Sequence, residues 1–321
     1  MPASQLRIGL QIPSFNFPGV GPEQLLDTLT GIARTAEGSG FDSIWVMDHL
    51  NQIPGVGPRD HWMLEGNTAL AALAGRTSSL HLGLMVGGVT YRNPALLAKI
   101  TTSLDVLSGG RAVLGIGAAW FEAEHRAFGY DFPPIAERFE RLEDALRIAR
   151  AMFTEDQPTV EGKHHSVHEI LNRPRPVRGD IPIMIGGSGE RKTLRLVAQY
   201  GDASNVIADL ERVRHLMGVI ERHCDDVGRD PAEITKTKLG TLMLARTREE
   251  ADAMVAPLRE RIPAERIAAF VIAGDAEGVG EAVAAHLDAG LDGLIVNMPN
   301  VYDLDVVAAA GEVLSKAIAG S

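Results

Sequence analysis

Short apolar runs rich in β-branched residues alternate with longer stretches whose apolar positions recur at helical spacing, from one end of the chain to the other. That alternation predicts a parallel sheet in which each strand is followed by a helix. Strands are expected near residues 7–12, 43–47, 80–86, 112–116, 181–185, 203–207, 234–244 and 293–297. Helices are expected near 22–39, 69–77, 94–107, 135–153, 190–200, 210–227, 249–261 and 301–319. Local punctuation supports these bounds. Gly38 to Gly40 and Ser108-Gly109-Gly110 can end helices, because glycine tolerates the left-handed backbone found there, and Asn93-Pro94 is a helix start with an acceptor before the first-turn proline.

About eight strand-helix units in one undivided chain favour a closed (β/α)8 TIM barrel over an open doubly wound sheet. The expected fold is therefore α/β, with residues 1–321 forming a single domain. Two stretches break the rhythm: 50–67 after the second strand, and 154–179, rich in Pro, His and Arg, after the fourth. Both read as insertions, the second as a loop or small hairpin. In such barrels the residues just past each strand share one rim, where the site is built. The rule selects residues 11–15, 48–49, 86–91, 117–124 and 186–190.

Composition narrows the class. The chain has 321 residues, 45% of them hydrophobic and 5% aromatic, without an apolar run of membrane-spanning length. Its start, MPASQLRIGLQIPSF, enters a strand almost at once and lacks the leader of an exported protein. The single cysteine, Cys224, excludes an internal disulfide framework and a cysteine metal cluster, which fits the cytoplasm. A net charge of −11 argues against nucleic acid and against an anionic membrane as partners. An anionic small molecule remains possible, since local backbone N–H groups hold phosphate inside acidic proteins.

Four segments of the rim could carry chemistry. VLGIGAAW (113–120) meets a Gly115-x-Gly117 pair, but Trp120 stands where a dinucleotide fingerprint needs its third glycine. A tight strand exit, or bare backbone left for a flat ligand, are the other readings. IPIMIGGSGERKTLRLVAQYGD (181–202) ends a strand on Gly186-Gly187-Ser188-Gly189 before a helix, which gathers free N–H groups into an anion site suited to a phosphodiester or monophosphate. Asp48-His49 closes the second strand, where the imidazole could exchange a proton near neutral pH and the aspartate could orient a ring or accept a hydrogen bond. Glu122 and Glu124 are candidate acid/base carboxylates, although a solvated helix start is the simpler reading of both. His61, His125, His164, His165 and His168 show no metal-ligand spacing, and the charges of 136–150 read as a solvated helix face.

Taken together, WVMDH, the 81–120 segment HLGLMVGGVTYRNPALLAKITTSLDVLSGGRAVLGIGAAW, ERFERLEDAL, IPIMIGGSGERKTLRLVAQYGDASN and the closing GLDGLIVNMP resemble the bacterial luciferase-like flavin/deazaflavin superfamily. More narrowly, the chain is similar to its actinobacterial class of coenzyme F420-dependent oxidoreductases. The resemblance spans essentially the whole chain, in order. It implies a homodimeric barrel that carries coenzyme F420, or alternatively FMN, on its C-terminal rim, with a small-molecule substrate and a separate F420- or flavin-reducing enzyme as supplier.

It further implies a cis peptide at Met85-Val86 behind the ring, Gly117, Ala118 and Ala119 beside it, and Gly186, Gly187, Ser188 and Gly189 around the phosphate of the cofactor tail. Asp48 matches a residue that contacts the deazaflavin, and His49 one near the reactive carbon. Sugar-phosphate-oxidising members carry a glutamate where this chain has Trp120. Glu122, two residues on, is then the carboxylate that could take its place, and an indole in the substrate pocket suits an apolar or aromatic substrate better. Three functions follow: F420-dependent hydride transfer, FMN-dependent monooxygenation, or flavin binding without turnover.

Overall fold

The computed structural model describes residues 6–320, so the parts of these expectations that fall on residues 1–5 and on Ser321 lie outside it. Its strands are β1 (Ile8–Ile12), β2 (Ser43–Val46), β3 (His81–Leu84), β4 (Gly87–Gly88), β5 (Ala112–Gly117), β6 (Ile183–Gly186), β7 (Ala203–Val206), β8 (Thr235–Leu244), β9 (Val271–Gly274) and β10 (Gly293–Asn297). All pairings between them are parallel. β1 to β8 pair in chain order, β8 pairs with β10, and β10 returns to β1, which closes the barrel. β3 and β4 are one barrel strand interrupted at Met85-Val86, whose peptide bond is cis as the resemblance implied. β9 lies outside the ring and pairs only with β8. The fold is the expected (β/α)8 barrel, with each of the eight expected strands present.

The helices are α1 (Leu25–Gly38), α2 (Gly66–Ala74), α3 (Pro94–Ser108), α4 (Glu122–Phe128), α5 (Ile135–Thr154), α6 (Thr193–Tyr200), α7 (Leu210–Val227), α8 (Arg248–Arg259), α9 (Ala264–Phe270), α10 (Ala276–Asp288) and α11 (Leu304–Ala319). The Asn93 side chain accepts from the N–H groups of Ala95 and Leu96 with Pro94 in the first turn, and Gly109, at φ 71°, ends α3. Residues 155–180 hold a small antiparallel bridge between Val160 and Val167. Beyond the two expected insertions a third follows β8, made of α8, α9 and β9. The helix expected at 249–261 belongs to this flap, and the helix that completes the seventh unit is α10.

Two cores result from the strand pleat. Outward-facing residues such as Leu10, Ile44, Leu82 and Leu114 pack against the helices. The barrel interior is filled by Trp45, Met85, Val113, Met184, Ala203 and Ile295. One large ring fits inside because its neighbours are bare. A Cβ on Gly9 would lie 2.6 Å from the indole nitrogen of Trp45, and one on Gly83 would lie 2.5 Å from the ring. Gly115 is tighter still, since its Cβ would meet the Leu84 carbonyl oxygen at 1.9 Å. Among the described residues no helix is long and apolar enough to cross a membrane.

Candidate active site

Above Trp45 the inward positions turn polar. Asn297 donates to Gln11 Oε1 at 3.0 Å and accepts from Thr241 at 2.8 Å, while Gln11 in turn donates to the Met85 carbonyl at 3.4 Å. On the adjoining strand β7 Asn205 donates to Thr237 of β8 at 2.9 Å. Val86, at the interruption between β3 and β4, faces the ends of β5 and β6. Glycines surround its side chain: a Cβ on Gly186 would lie 2.8 Å from both Val86 methyls, and one on Gly117 would lie 3.0 Å from the nearer methyl. The mouth thus combines an aliphatic floor, walls of bare backbone and a polar edge. A flat heteroaromatic ring with a hydrogen-bonding rim needs that combination, so the residues present fit a flavin or deazaflavin.

The turn leaving β5 is bent by Ala119, whose φ of 58° lies in the left-handed region. Arg138 braces it from outside. Its guanidinium donates to the carbonyls of Ala118, Ala119 and Pro133 and lies 4.2 Å from the Phe132 ring centroid. The charge spacing of 136–150 predicts a solvated face, but Arg138 on that helix is buried.

The same turn brings α4 against the end of β2. Glu124, 1% exposed, accepts from the N–H groups of Leu50 at 2.6 Å and Asn51 at 2.8 Å, from the Tyr91 hydroxyl, and meets His49 Nδ1 at 3.0 Å. Burial pushes this carboxyl up, but the bonds from His49, Tyr91 and Asn51 outweigh it and hold the group below its ordinary range. Burial and the neighbouring Glu124 together push the Tyr91 phenol far up, so it stays a donor. Glu122 is placed differently. It lies on the solvent side of α4, paired with Arg126 at 3.0 Å, so the structure brings Glu124 and not Glu122 to the imidazole. Trp120, 57% exposed, and Phe121 stack on each other and both meet His49 edge-on, with centroids 5.6 and 5.8 Å away.

Asp48 is buried and fully engaged. Its oxygens take both Arg92 nitrogens at 2.7 and 2.8 Å and the Gly88 N–H at 3.0 Å. Arg92 also reaches Glu65 at 2.6 Å, which caps α2 by accepting from Asn67 and Thr68. The ion pair ties three rim segments together beneath the mouth. Behind it, Tyr91, Arg92, Glu65 and Leu96 border a cavity of about 500 Å³.

The Gly186–Gly189 loop departs from the expected geometry, because α6 starts only at Thr193. Gly187, at φ 131°, needs to be glycine and donates to the Asn205 carbonyl at 2.9 Å. The Ser188 hydroxyl exchanges bonds of 3.0 Å with both backbone groups of Ile207. The backbone N–H groups of Ser188, Gly189 and Glu190 find no acceptor among the described residues, and free N–H groups gathered in a loop can hold an anion. The structure therefore gathers His49, Met85, Val86, Gly117, Ala118 and the 186–189 loop around one mouth. Arg92, Arg138, Asn205, Thr241 and Asn297 join them without having been singled out in the sequence. For the last three a signal existed, since each is a polar residue on the inward face of a buried strand.

A family model of the luciferase-like monooxygenases matches residues 6–266. The F420-dependent glucose-6-phosphate dehydrogenase of Kineococcus radiotolerans is 29% identical over 301 residues, 84% of this chain and 87% of that protein. The enzyme of the same name from Microbacterium testaceum is 29% identical over 333 residues, 92% of each chain. Among solved structures, the coenzyme F420-dependent tetrahydromethanopterin reductase from Methanopyrus kandleri superposes with a TM-score of 0.79 at 19% identity, covering 96% of this chain and 98% of that one. This last likeness is one of fold.

Proposed function

The chain belongs to the luciferase-like monooxygenase family, and we propose that it is a coenzyme F420-dependent oxidoreductase acting on an organic substrate of apolar or aromatic character. The observation that carries this reading is the juxtaposition at one mouth of a bare-backbone cradle, Gly117 and Gly186 around Val86, with a histidine whose Nδ1 is occupied and whose Nε2 has no hydrogen-bond partner among the described residues. The names of the relatives support the cofactor. Bound there, the deazaflavin supplies or accepts hydride, a two-electron step that leaves the protein one proton to manage.

This chain's residues would do the rest. Val86 and the glycines hold the ring, and the N–H groups of Ser188, Gly189 and Glu190 hold the tail phosphate. His49 gives or takes the proton at the substrate heteroatom. The Trp120-Phe121 pair walls the approach to His49 with aromatic surface and adds no charge to attract a sugar phosphate. The working unit is a cytoplasmic homodimer supplied with cofactor by a separate reductase or dehydrogenase.

Fluorescence titration of the purified protein with F420 and with FMN tests the reading. F420 binding at low micromolar or better concentration supports it; tight FMN binding with none of F420 would replace it with the monooxygenase. Replacing His49 with Ala separates an enzyme from a binding protein, since turnover should fall about a hundredfold or more while cofactor affinity stays.

A further inference from the structure

We infer that Glu124 and Tyr91 are positioning residues that fix the tautomer and charge of His49, so that Nε2 alone exchanges the proton. The inference deepens the proposed function and rests on it for the identity of the reaction. Its geometric basis is independent of any cofactor.

Three observations carry it. Glu124 has an acceptor role only, and two of its four partners, the N–H groups of Leu50 and Asn51, are backbone donors that converge on Oε1 at 2.6 and 2.8 Å. That pins the carboxylate, leaving Oε2 for Tyr91 and for His49 Nδ1 at 3.0 Å. An ionised carboxylate accepts and never donates, so Nδ1 must carry the hydrogen, and the neutral ring then presents a bare lone pair at Nε2. Second, the Glu124 carboxylate is closed to water, its side chain fully buried, while His49 keeps a partly exposed ring with Trp120 and Phe121 standing edge-on to it. Third, the group is on the short helix α4, at the side opposite the exposed Glu122, so its burial is a property of the tertiary fold.

The proton balance follows. In the reducing direction the imidazolium would give its Nε2 proton to the substrate oxygen or nitrogen beside the carbon to which a bound reduced cofactor would supply hydride. The neutral ring is then reprotonated from water. In the oxidising direction Nε2 takes the proton as hydride leaves. The Glu124 charge steadies the imidazolium in both directions, and the Tyr91 hydroxyl, sharing Oε2, moderates it.

The test uses the full chain labelled with ¹⁵N-histidine, with His49 assigned by its loss in His49→Gln, and reads long-range ¹H–¹⁵N couplings across pH. Wild type should show the Nδ1–H form on the basic side. Glu124→Gln keeps an oxygen for Leu50 and Asn51 but loses the charge, and should lower the His49 titration midpoint by about one pH unit. The same displacement should appear in the pH profile of kcat/KM, with F420 affinity changed less than about threefold. Glu124→Asp should restore most of it. Tyr91→Phe removes the competing donor and should move the midpoint the opposite way. An Nε2–H tautomer in wild type, or an unmoved midpoint in Glu124→Gln, would overturn the inference. Because the couplings need no cofactor, failure to bind F420 would sink the proposed reaction while leaving this reading to stand or fall by the spectra.

Discussion

Replacing Asp48 with Asn probes how far the rim depends on one buried ion pair. The variant keeps the shape of the side chain and one acceptor but removes the charge facing Arg92 at 2.7 and 2.8 Å. The guanidinium then retains only Glu65, at 2.6 Å and on the wetter side. Breaking a buried pair by removing one member costs ~3–5 kcal/mol, and the surviving Glu65 contact puts this variant near the lower bound. At this chain length about 3 kcal/mol corresponds to a melting temperature lower by roughly 4–5 °C.

Arg92→Met creates the converse fault, a carboxyl that burial already pushes up and that now has little beyond the Gly88 N–H to hold its charge. A carboxyl whose folded pKa is raised contributes stability that is full below its unfolded value and lost as pH rises through the folded one. Arg92→Met should therefore lie closest to wild type in acid and fall behind toward neutrality. The double variant carries neither charge and should cost less than the two singles together, with a coupling of about 2–3 kcal/mol. Urea unfolding of the four proteins at about pH 5 and about pH 8 measures all of this. Losses that add to within about 0.5 kcal/mol, or a deficit in Arg92→Met that ignores pH, would refute the reasoning.

Four further predictions can be checked with simple variants. Gly186→Ala drives a Cβ to 2.8 Å from the Val86 methyls, which can rotate; the protein should fold with a loss of about 1–3 kcal/mol and bind F420 at least tenfold more weakly by fluorescence. Gly115→Ala meets the Leu84 backbone at 1.9 Å and has no such relief, so little folded protein should be recovered, as judged by circular dichroism. Trp120→Ala removes a wall that buries roughly 60 Å² of an apolar substrate, about 1.5 kcal/mol, and should raise KM about tenfold with kcat less affected. Asp42, at the far end of β2, is pushed up to about 6 by burial despite hydrogen bonds from Ser43, Ile8 and Arg7. Its stabilising share is full below about pH 4 and lost as pH rises through about 6. Asp42→Asn should flatten the pH dependence of urea unfolding in that window, and parallel slopes would count against the assignment.

The barrel strands were legible because each is an apolar run bounded by glycine or polar turns. β9 was not, since Val271-Ile-Ala-Gly274 is a four-residue run between alanine-rich helices, and nothing local says that it pairs outside the ring. Glycine positions at strand ends could be read directly, as bare backbone is a sequence property. Side-chain partnership could not. Glu122 and Glu124 are two residues apart on one helix, about 200° around it, so they face opposite ways and only the neighbours decide which is buried. Arg138 was hidden by its company: Glu137 and Arg141 do pair on the surface at helical spacing, and the pattern gives no sign that the arginine between them turns inward. Arg92 sits one residue past the rim segment that the strand-end rule selected, in a stretch otherwise explained by the helix start at Asn93-Pro94.

β8 belongs to two assemblies at once. From Thr237 to Thr241 it is a stave of the ring, paired with β10, and from Thr241 to Leu244 it carries β9 and the flap. No ring hydrogen bond passes through residues 245–275, so this flap is a natural unit of exchange: a graft from a relative would replace it whole without reopening the cylinder. One condition travels with it. The buried Lys238 ammonium, which burial pushes down to about 8, donates to Ala208 beside the anion loop and to Ala269 at the end of α9. A donor flap must therefore bring a carbonyl for that lysine, or be paired with an apolar residue in its place.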